Sequence, residues 1–460
     1  PAGPPTLLIP LEIDSLPSAG NGVGHAEGMA LFVPFSAPGD VLEARIVKVC
    51  KSHAFAIISR ILTPSADRVE PACPAYGKCG GCCFRHISFE AECRAKQRFV
   101  EDALRRIGHL DLPVSPTLTT GRSGRYRNKV QYPLTREDGA VRTGFYAPRS
   151  HRVVPCSDCK LQPEHLNRIA GTVCDLLERF GIPLYDEETH RGLVRHLYLR
   201  DAASTGEVLV CLVINGPSLP HAEEFCRELT QADPRIRSIV LNHNTEKSNV
   251  ILGGRCTVLS GDGFVHDSMC GVPVKLGALS FYQVNTEGAE LLYREAARLA
   301  DIRPDETLLD LYCGAGTIGL SMAHACKRLI GVEIIPEAVE SARENAAAMG
   351  VSHATFFCAD AGTAAQKLAA EGLVPDVIVL DPPRKGCDAN TLDAVVKMAP
   401  SRVVMVSCNP ATAARDAAIL SSQGYRAECA VPVNLFPRTK HTETVVLLSK
   451  LKVDHHIEIE

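Results

Sequence analysis

Several short stretches carry side chains whose types and spacing suit chemistry on a bound ligand. In Ser407-Cys408-Asn409-Pro410 a thiol directly follows the apolar run 403–407 and precedes an Asn-Pro turn pair. A buried strand that ends and projects its next side chain over a sheet edge reads this way. A thiol held there can act as a covalent nucleophile. Taken alone, one cysteine among nineteen reads as a small buried hydrophobe, so its company matters. The run 377–380 ends in Asp381-Pro-Pro-Arg384-Lys-Gly386, an acid and a cation at another strand end. Thr307-Leu-Leu-Asp310-Leu-Tyr312 leads into Cys313-Gly314-Ala-Gly316-Thr317, where glycines let the backbone approach a ligand. Glu333 ends a strand nineteen positions past Gly314, where an acid accepts hydrogen bonds from ribose hydroxyls. Asp360, after the run 354–358, suits an adenine amine.

These strand ends must share one support. Strand-end signals at βαβ spacing predict a doubly wound parallel sheet, Rossmann-like, over residues 276–460. Ser280-Phe281-Tyr-Gln283-Val-Asn285-Thr precedes an amphipathic stretch over 287–299 and reads as a capped helix start. A nicotinamide-dependent dehydrogenase shares the strand–glycine–acid logic. The turn here lacks the third glycine of that pattern.

Cys73, Cys79, Cys82 and Cys83 crowd one glycine-bearing loop, and Cys156 and Cys159 form a distant second pair. One thiolate from each of four positions would suit a four-iron cluster; zinc on the same residues remains an alternative, as does a chance group of free thiols. Ahead of this loop, residues 7–60 alternate short apolar runs with Gly/Pro turns, predicting a small five-stranded β-barrel in 1–65. Residues 94–152 hold 13 Lys/Arg against 5 Asp/Glu. Within them Arg122, Arg125, Arg127 and Lys129 interleave with Tyr126 and Tyr132, a pattern that can bind phosphates and stack on bases. An ordinary β-hairpin with charged outer faces is the plainer reading. Residues 161–272 read as α+β without nameable chemistry, so 66–275 is taken as a central domain; part of 90–122 is expected to pack on the last domain.

At 460 residues the chain is too long for one ordinary core. Hydrophobic residues are 45 %, charged residues 22 % and net charge −4, an ordinary globular composition that does not announce a nucleic-acid binder. No run of about 18 apolar residues predicts a membrane span. No basic-then-apolar leader signals secretion. A cytoplasmic, monomeric protein is expected, with its thiols available for metal or catalysis.

Phe281-x-Gln283-x-Asn285, Asp310-x-Tyr-Cys-Gly-x-Gly316, Asp381-Pro-Pro-Arg-Lys-Gly386, Ser407-Cys-Asn-Pro410 and His441-Thr-Glu443 together resemble the RNA uracil-5-methyltransferase family. They keep their order and span the last domain. Cys73, Cys79 and Cys82, followed by His86 and Phe89, resemble that family's iron–sulfur motif. Residues 125–129 resemble its Tyr-Arg-Asn-Lys motif, and residues 1–65 a TRAM domain, an RNA-binding barrel. The resemblance implies S-adenosylmethionine as methyl donor, contacted by Gln283, Tyr312, Thr317, Glu333, Asp360 and Asp381. It implies Cys408 as nucleophile towards uracil C6, Glu443 as proton acceptor, and Asp381 and Arg384 beside the base. It implies Cys159 as fourth ligand of a [4Fe-4S] cluster, with Cys83 and Cys156 outside the pattern. A helix after Asn409 is expected to lower the Cys408 pKa. RNA is the expected partner, ribosomal RNA ahead of transfer RNA because the barrel and cysteine loop are both present. A non-catalytic RNA-binding protein of the same fold and a radical enzyme using the cluster are the competing classes.

Overall fold

The computed structural model describes residues 8–451; the outermost positions of the segments 1–65 and 276–460, Leu7 among them, lie outside the described residues. Five strands come first: β1 (Leu8–Glu12), β2 (Asn21–Ala26), β3 (Met29–Pro34), β4 (Val41–Val49) and β5 (His53–Thr63). They pair in the order β1-β4-β5-β3-β2. The chain leaving β1 bridges to β2 at Ser15 and Val23, so the two edges of the sheet approach each other. The curled sheet closes over a small core that includes Ile13, Leu31, Val33 and Leu42.

The cysteine loop leads into α1 (Phe89–Arg106). Ser88 caps this helix by accepting from the Ala91 N–H, with Glu90 and Glu92 in its first turn and Arg105 and Arg106 in its last. Both arrangements complement the helix dipole. A second sheet follows, built from β6 (Lys129–Glu137), β7 (Ala140–Tyr146), β8 (Val153–Pro155), β9 (Val194–Asp201), β10 (Val208–Ile214), β11 (Ile236–His243) and β12 (Arg255–Ser260). Its order is β12-β11-β10-β9-β6-β7-β8. Strands β9 and β10 are buried along their whole length; β10 reads as an unbroken apolar run for that reason, whereas β9 also buries Arg195, His196, Arg200 and Asp201. Helices α2 (Glu164–Arg179) and α3 (Ala222–Ala232) cover one face through Leu166, Val173, Phe225 and Leu229. The hairpin β13 (Val265–Met269) and β14 (Val272–Leu276) shares a core with the other face and with the last domain.

The last domain comprises α4 (Thr286–Ala300), β15 (Thr307–Leu311), α5 (Thr317–Met322), β16 (Arg328–Glu333), α6 (Pro336–Ala348), β17 (Ala354–Cys358), α7 (Ala361–Ala370), β18 (Val377–Leu380), α8 (Ala389–Met398), β19 (Arg402–Ser407), α9 (Pro410–Ser421), β20 (Tyr425–Val433) and β21 (Glu443–Lys450). The sheet order is β17-β16-β15-β18-β19-β21-β20. Successive side chains point to opposite faces. Leu308, Val379 and Val404 meet α4, α5 and α6 on one side. Leu309, Ile378 and Val403 meet α1, α7, α8 and α9 on the other. Helix α1 therefore belongs to this three-layer core although it lies some 200 residues away in sequence. Behind it, Val114 and Leu118 bridge to edge strand β20.

The sheet departs from an all-parallel one. Strands β15 to β19 are parallel, but β21 inserts between β19 and β20 and runs antiparallel to both. The cause is the connection: β20 and β21 are joined by the loop 434–442 rather than a crossover helix. As a result Glu443 enters the sheet at the rim where Cys408 leaves it.

Candidate active site

The strand ends line up. Leu311 pairs with Leu380, and Leu380 with Met405, so Tyr312, Asp381 and Val406 follow at one level. Ser407 pairs with Thr444 in the opposite sense. Cys408 and Glu443 are therefore neighbours just past the pairing, where side chains on adjacent strands stand about 5 Å apart. Glu443 is 5 % exposed. Burial pushes its carboxyl up to about 8, the Asp381 charge adds to this, and Arg384 opposes it. Burial pushes Asp381 up to about 7.

The half-buried Cys408 thiol is also pushed up, by burial first and then by Glu443 and Asp381, against Arg384. This corrects the expected lowering. Helix α9 does begin at Pro410 with Asn409 as its cap, but desolvation and two carboxyls outweigh its N-terminus. Asn409 Nδ2 donates to the Arg384 carbonyl at 3.3 Å. Arg384 donates to His441 Nδ1 at 2.7 Å; burial and nearby cations, Arg384 first, push this imidazole down to about 4, so it accepts as the neutral base. Gly386 has φ +80°, and a Cβ there would meet Arg415 Nη2 at 2.4 Å; only glycine lets the loop after Asp381 close on α9. A cleft of about 430 Å³ opens at Cys408 and Arg384, walled by Phe99, Arg106, Lys440 and His441.

A second cradle lies at the ends of β15 and β16. Gly314 and Gly316 have φ +55° and +78°. The Gly314 N–H donates to Glu333 Oε2 at 3.0 Å, while the Ile334 and Ile335 N–H groups donate to Oε1 at 2.8 and 2.9 Å. Thr317 opens α5. Asp360 caps α7, accepting from the Thr363 N–H at 3.0 Å. Tyr312 has φ +65° and its hydroxyl lies 3.1 Å from Thr391 Oγ1. The Gln283 carbonyl accepts from Asn128 Nδ2 at 2.8 Å. Large apolar side chains are left exposed nearby: Phe281, Ile334 and Ile335.

Two residues here escaped the sequence reading as site members. Asp310 is fully buried; its Oδ2 accepts from the Gly319 N–H at 2.9 Å, and its Oδ1 meets no partner. Burial, aided by Asp381 and Glu333, pushes it up to about 8. Tyr293 on α4 is buried with its hydroxyl in reach of Thr317 and Gln283, and burial pushes it up. Its signal was present: it falls ten positions after Gln283, on the inward face of the following helix. Arg106, Lys440 and His441, at the cleft, come from elements that only the fold brings together.

The cysteines separate into two groups. Cys73, Cys79, Cys82, Cys156 and Cys159 line one cavity of about 240 Å³. Cys83 lies outside it, beside Lys96, Glu92 and Lys440. The Gly81 N–H and Arg85 Nε donate to the sulfurs of Cys79 and Cys82, each at 3.3 Å. Cys156 and Cys159 face each other closely enough to titrate as a pair, Cys159 downward and Cys156 upward. Among the described residues no three His, Cys, Asp or Glu side chains close tightly enough to hold a single metal ion.

The basic residues are less available than their pattern suggests. Arg125 has φ +55°; its guanidinium donates to the Cys159 and Gln162 carbonyls at 3.0 and 2.9 Å and pairs with Asp158 at 2.7 Å. Arg122 pairs with Glu287 on α4. Arg127 and Lys129 line the cysteine cavity, where burial and the charges of Arg200 and Arg127 push Lys129 down to about 8.

The family model described as tRNA (uracil-5-)-methyltransferase matches residues 274–451, the span that holds both cradles. A protein of Halalkalibacterium halodurans described as an uncharacterized RNA methyltransferase is 41 % identical over 442 residues, covering 96 % of each chain. One of Clostridium tetani is 40 % identical, covering 95 % of each. Among solved structures, the tRNA (uracil-54, C5)-methyltransferase of Pyrococcus abyssi, in complex with S-adenosyl-L-homocysteine, aligns with TM-score 0.76 at 25 % identity, over 96 % of this chain and all of that one. The chain belongs to the S-adenosylmethionine-dependent RNA uracil-5-methyltransferase family.

Proposed function

We propose that this protein forms 5-methyluridine in RNA through a transient bond between Cys408 and uracil C6. The observation that carries the reading is the convergence of Cys408, Glu443 and Asp381 at one rim, beside a cradle shaped for the donor. The orphaned Asp310 Oδ1, the open glycine turn and the exposed Ile334 and Ile335 fit a polar, adenine-bearing ligand. Gln283, Tyr312, Thr317, Glu333, Asp360 and Asp381 would hold it. When bound, it supplies an electrophilic methyl group.

Carbon 5 of uracil is a poor nucleophile. Cys408 adds to C6 as the thiolate and concentrates electron density at C5, which takes the methyl group and leaves the bonding pair on the sulfur of the departing, demethylated donor. Glu443 then takes the C5 proton, and the C6–S electron pair returns to Cys408. A carboxyl near 8 is a stronger acceptor than an ordinary glutamate and is matched to neutral pH. Asp381, near 7, can accept the N3 proton or donate to a ring carbonyl, and Arg384 favours the enolate. The target base must leave its stack to reach this rim; Phe99, Arg106 and Lys440 line its route, while Arg122, Arg125, Arg127 and Lys129 lie on the face towards the cysteine loop.

The cysteine cavity fits a thiolate-bound cluster. Its N–H···S contacts and orphaned Arg85 and Arg127 nitrogens suit an anionic occupant wider than one ion. Cys73, Cys79, Cys82 and Cys159 would hold a [4Fe-4S] group, which cross-links two distant loops. The barrel beside this cavity supports ribosomal RNA as substrate. Transfer RNA is the second reading, favoured by the description of the Pyrococcus abyssi neighbour.

The test is to incubate the protein with labelled donor and separate ribosomal and transfer RNA from cells lacking the gene. Label should appear as 5-methyluridine; its absence from both overturns the reading. Glu443→Gln should trap RNA covalently on the protein, visible on a denaturing gel, and normal turnover by that variant removes Glu443 from its role.

A further inference from the structure

The loop 434–442 between β20 and β21 leads directly into Glu443, and it is tied to the first unit, the cysteine loop, the segment before β6 and α4. Asn285, which caps α4, donates to the Leu435 carbonyl at 2.9 Å. Tyr126 donates to the Pro437 carbonyl at 2.9 Å. Lys440 reaches the Ala19 carbonyl of the first unit at 3.5 Å. The Cys83 and Phe84 N–H groups of the cysteine loop donate to the Arg438 carbonyl at 3.0 and 3.2 Å.

Beneath this loop is a buried charge network. Glu92 and Lys96, one turn apart on α1, form an ion pair at 2.9 Å with both side chains wholly buried. Lys96 Nζ also donates to Asn434 Oδ1 at 2.6 Å and the Phe436 carbonyl at 3.0 Å. Glu92 accepts from Asn434 Nδ2 at 3.0 Å and from the Arg438 N–H at 2.9 Å. Arg438 is held at φ +67°, and its guanidinium donates to the Ile87 carbonyl at 2.9 Å and to Ser123 Oγ at 3.2 Å. None of Glu92, Lys96 or Arg438 lines the cleft at Cys408. A buried ion pair is weak as a stabiliser and better suited to fixing one arrangement. What is fixed here is the loop that delivers Glu443.

We propose that Arg438, seated on the Glu92–Lys96 pair, positions Glu443 for removal of the C5 proton, so that the order of the cysteine loop is transmitted to the last step of the reaction. This rests on Glu443 being the proton acceptor. The step concerned is the one in which the C5–H bond breaks towards Glu443 and the C6–S bond returns its electrons to Cys408. Addition of Cys408 and transfer of the methyl group do not need Glu443 in register. A loosened loop therefore leaves the methylated RNA bonded to the protein.

Arg438→Ala, Arg438→Lys and Glu92→Gln are compared with the unaltered protein and with Glu443→Gln, using labelled donor and an RNA that the unaltered protein methylates. Folding is checked by thermal unfolding, and donor and RNA affinities by titration. The expected result for Arg438→Ala and Glu92→Gln is affinity within about twofold, turnover at least about tenfold slower, and labelled RNA–protein adduct accumulating as it does in Glu443→Gln. Arg438→Lys keeps a donor for Ile87 and should give less adduct. Variants that fold and slow without adduct, or lose donor and RNA affinity in step with rate, overturn the proposal. Absence of adduct from Glu443→Gln itself shows that the proton-acceptor assignment has failed and takes this inference with it.

Discussion

Glu443, Asp381 and Asp310 keep protons in the folded protein that ordinary carboxyls have lost, because burial penalises their charged forms. Their folded pKa values lie above the unfolded ones, so the folded state binds more protons between about pH 4 and 8. The stabilisation is complete below the ordinary carboxylate range and is lost as pH rises towards about 8, by at most about 1.4 kcal/mol per pH unit for each carboxyl. The melting temperature of the ligand-free protein should fall steadily from pH 5 to 8.5, and Asp310→Asn should flatten that slope. An unchanged profile in Asp310→Asn would show that Asp310 ionises normally. The methylation rate should run the other way, rising through pH 8 as Glu443 loses its proton; single-turnover rates across pH would show it. Cys408→Ala should abolish methyl transfer and adduct while RNA binding, read by gel shift, persists within about twofold.

At the scale of elements, a helix cap also holds the loop that leads into Glu443. Asn285 accepts from the Gly288 N–H and donates to the Leu435 carbonyl, with its side chain buried. Asn285→Ala should cost about 1–2 kcal/mol for the cap and the orphaned carbonyl, measured by denaturant unfolding, and should slow turnover. A variant as stable and as fast as the parent would remove that link. The parallel half of the sheet was legible because strands buried on both faces must be largely apolar, and residues 307–312, 329–333 and 377–380 are, Asp310 and the terminal Glu333 being the charged exceptions. The glycine turn and Glu333 were legible from spacing. The antiparallel insertion of β21 was not, since loop 434–442 carries no short hairpin turn pair. Nor was the engagement of Arg125 inside the fold: a guanidinium bound to carbonyls and one bound to phosphates look alike in sequence. The expected lowering of the Cys408 pKa failed for a similar reason, because α9 was readable while the burial and the two carboxyls around the thiol depend on tertiary packing.

For the molecule as a whole, five thiols converge from two regions on one cavity and a sixth is held apart. Cys79→Ser should lose bound iron and lower the melting temperature, whereas Cys83→Ser should keep it; iron analysis after anaerobic purification would distinguish them. Equal loss in both would mean that the cavity does not define the ligands. Among the described residues no helix is long and apolar enough to cross a membrane. The placement of β21 also bears on biosynthesis. In synthesis order β21 comes last, after the loop 434–442, although its place is between β19 and β20. Until it arrives the nascent sheet lacks its penultimate strand and Cys408 stands without Glu443, so the rim is completed only by the last strand to be made.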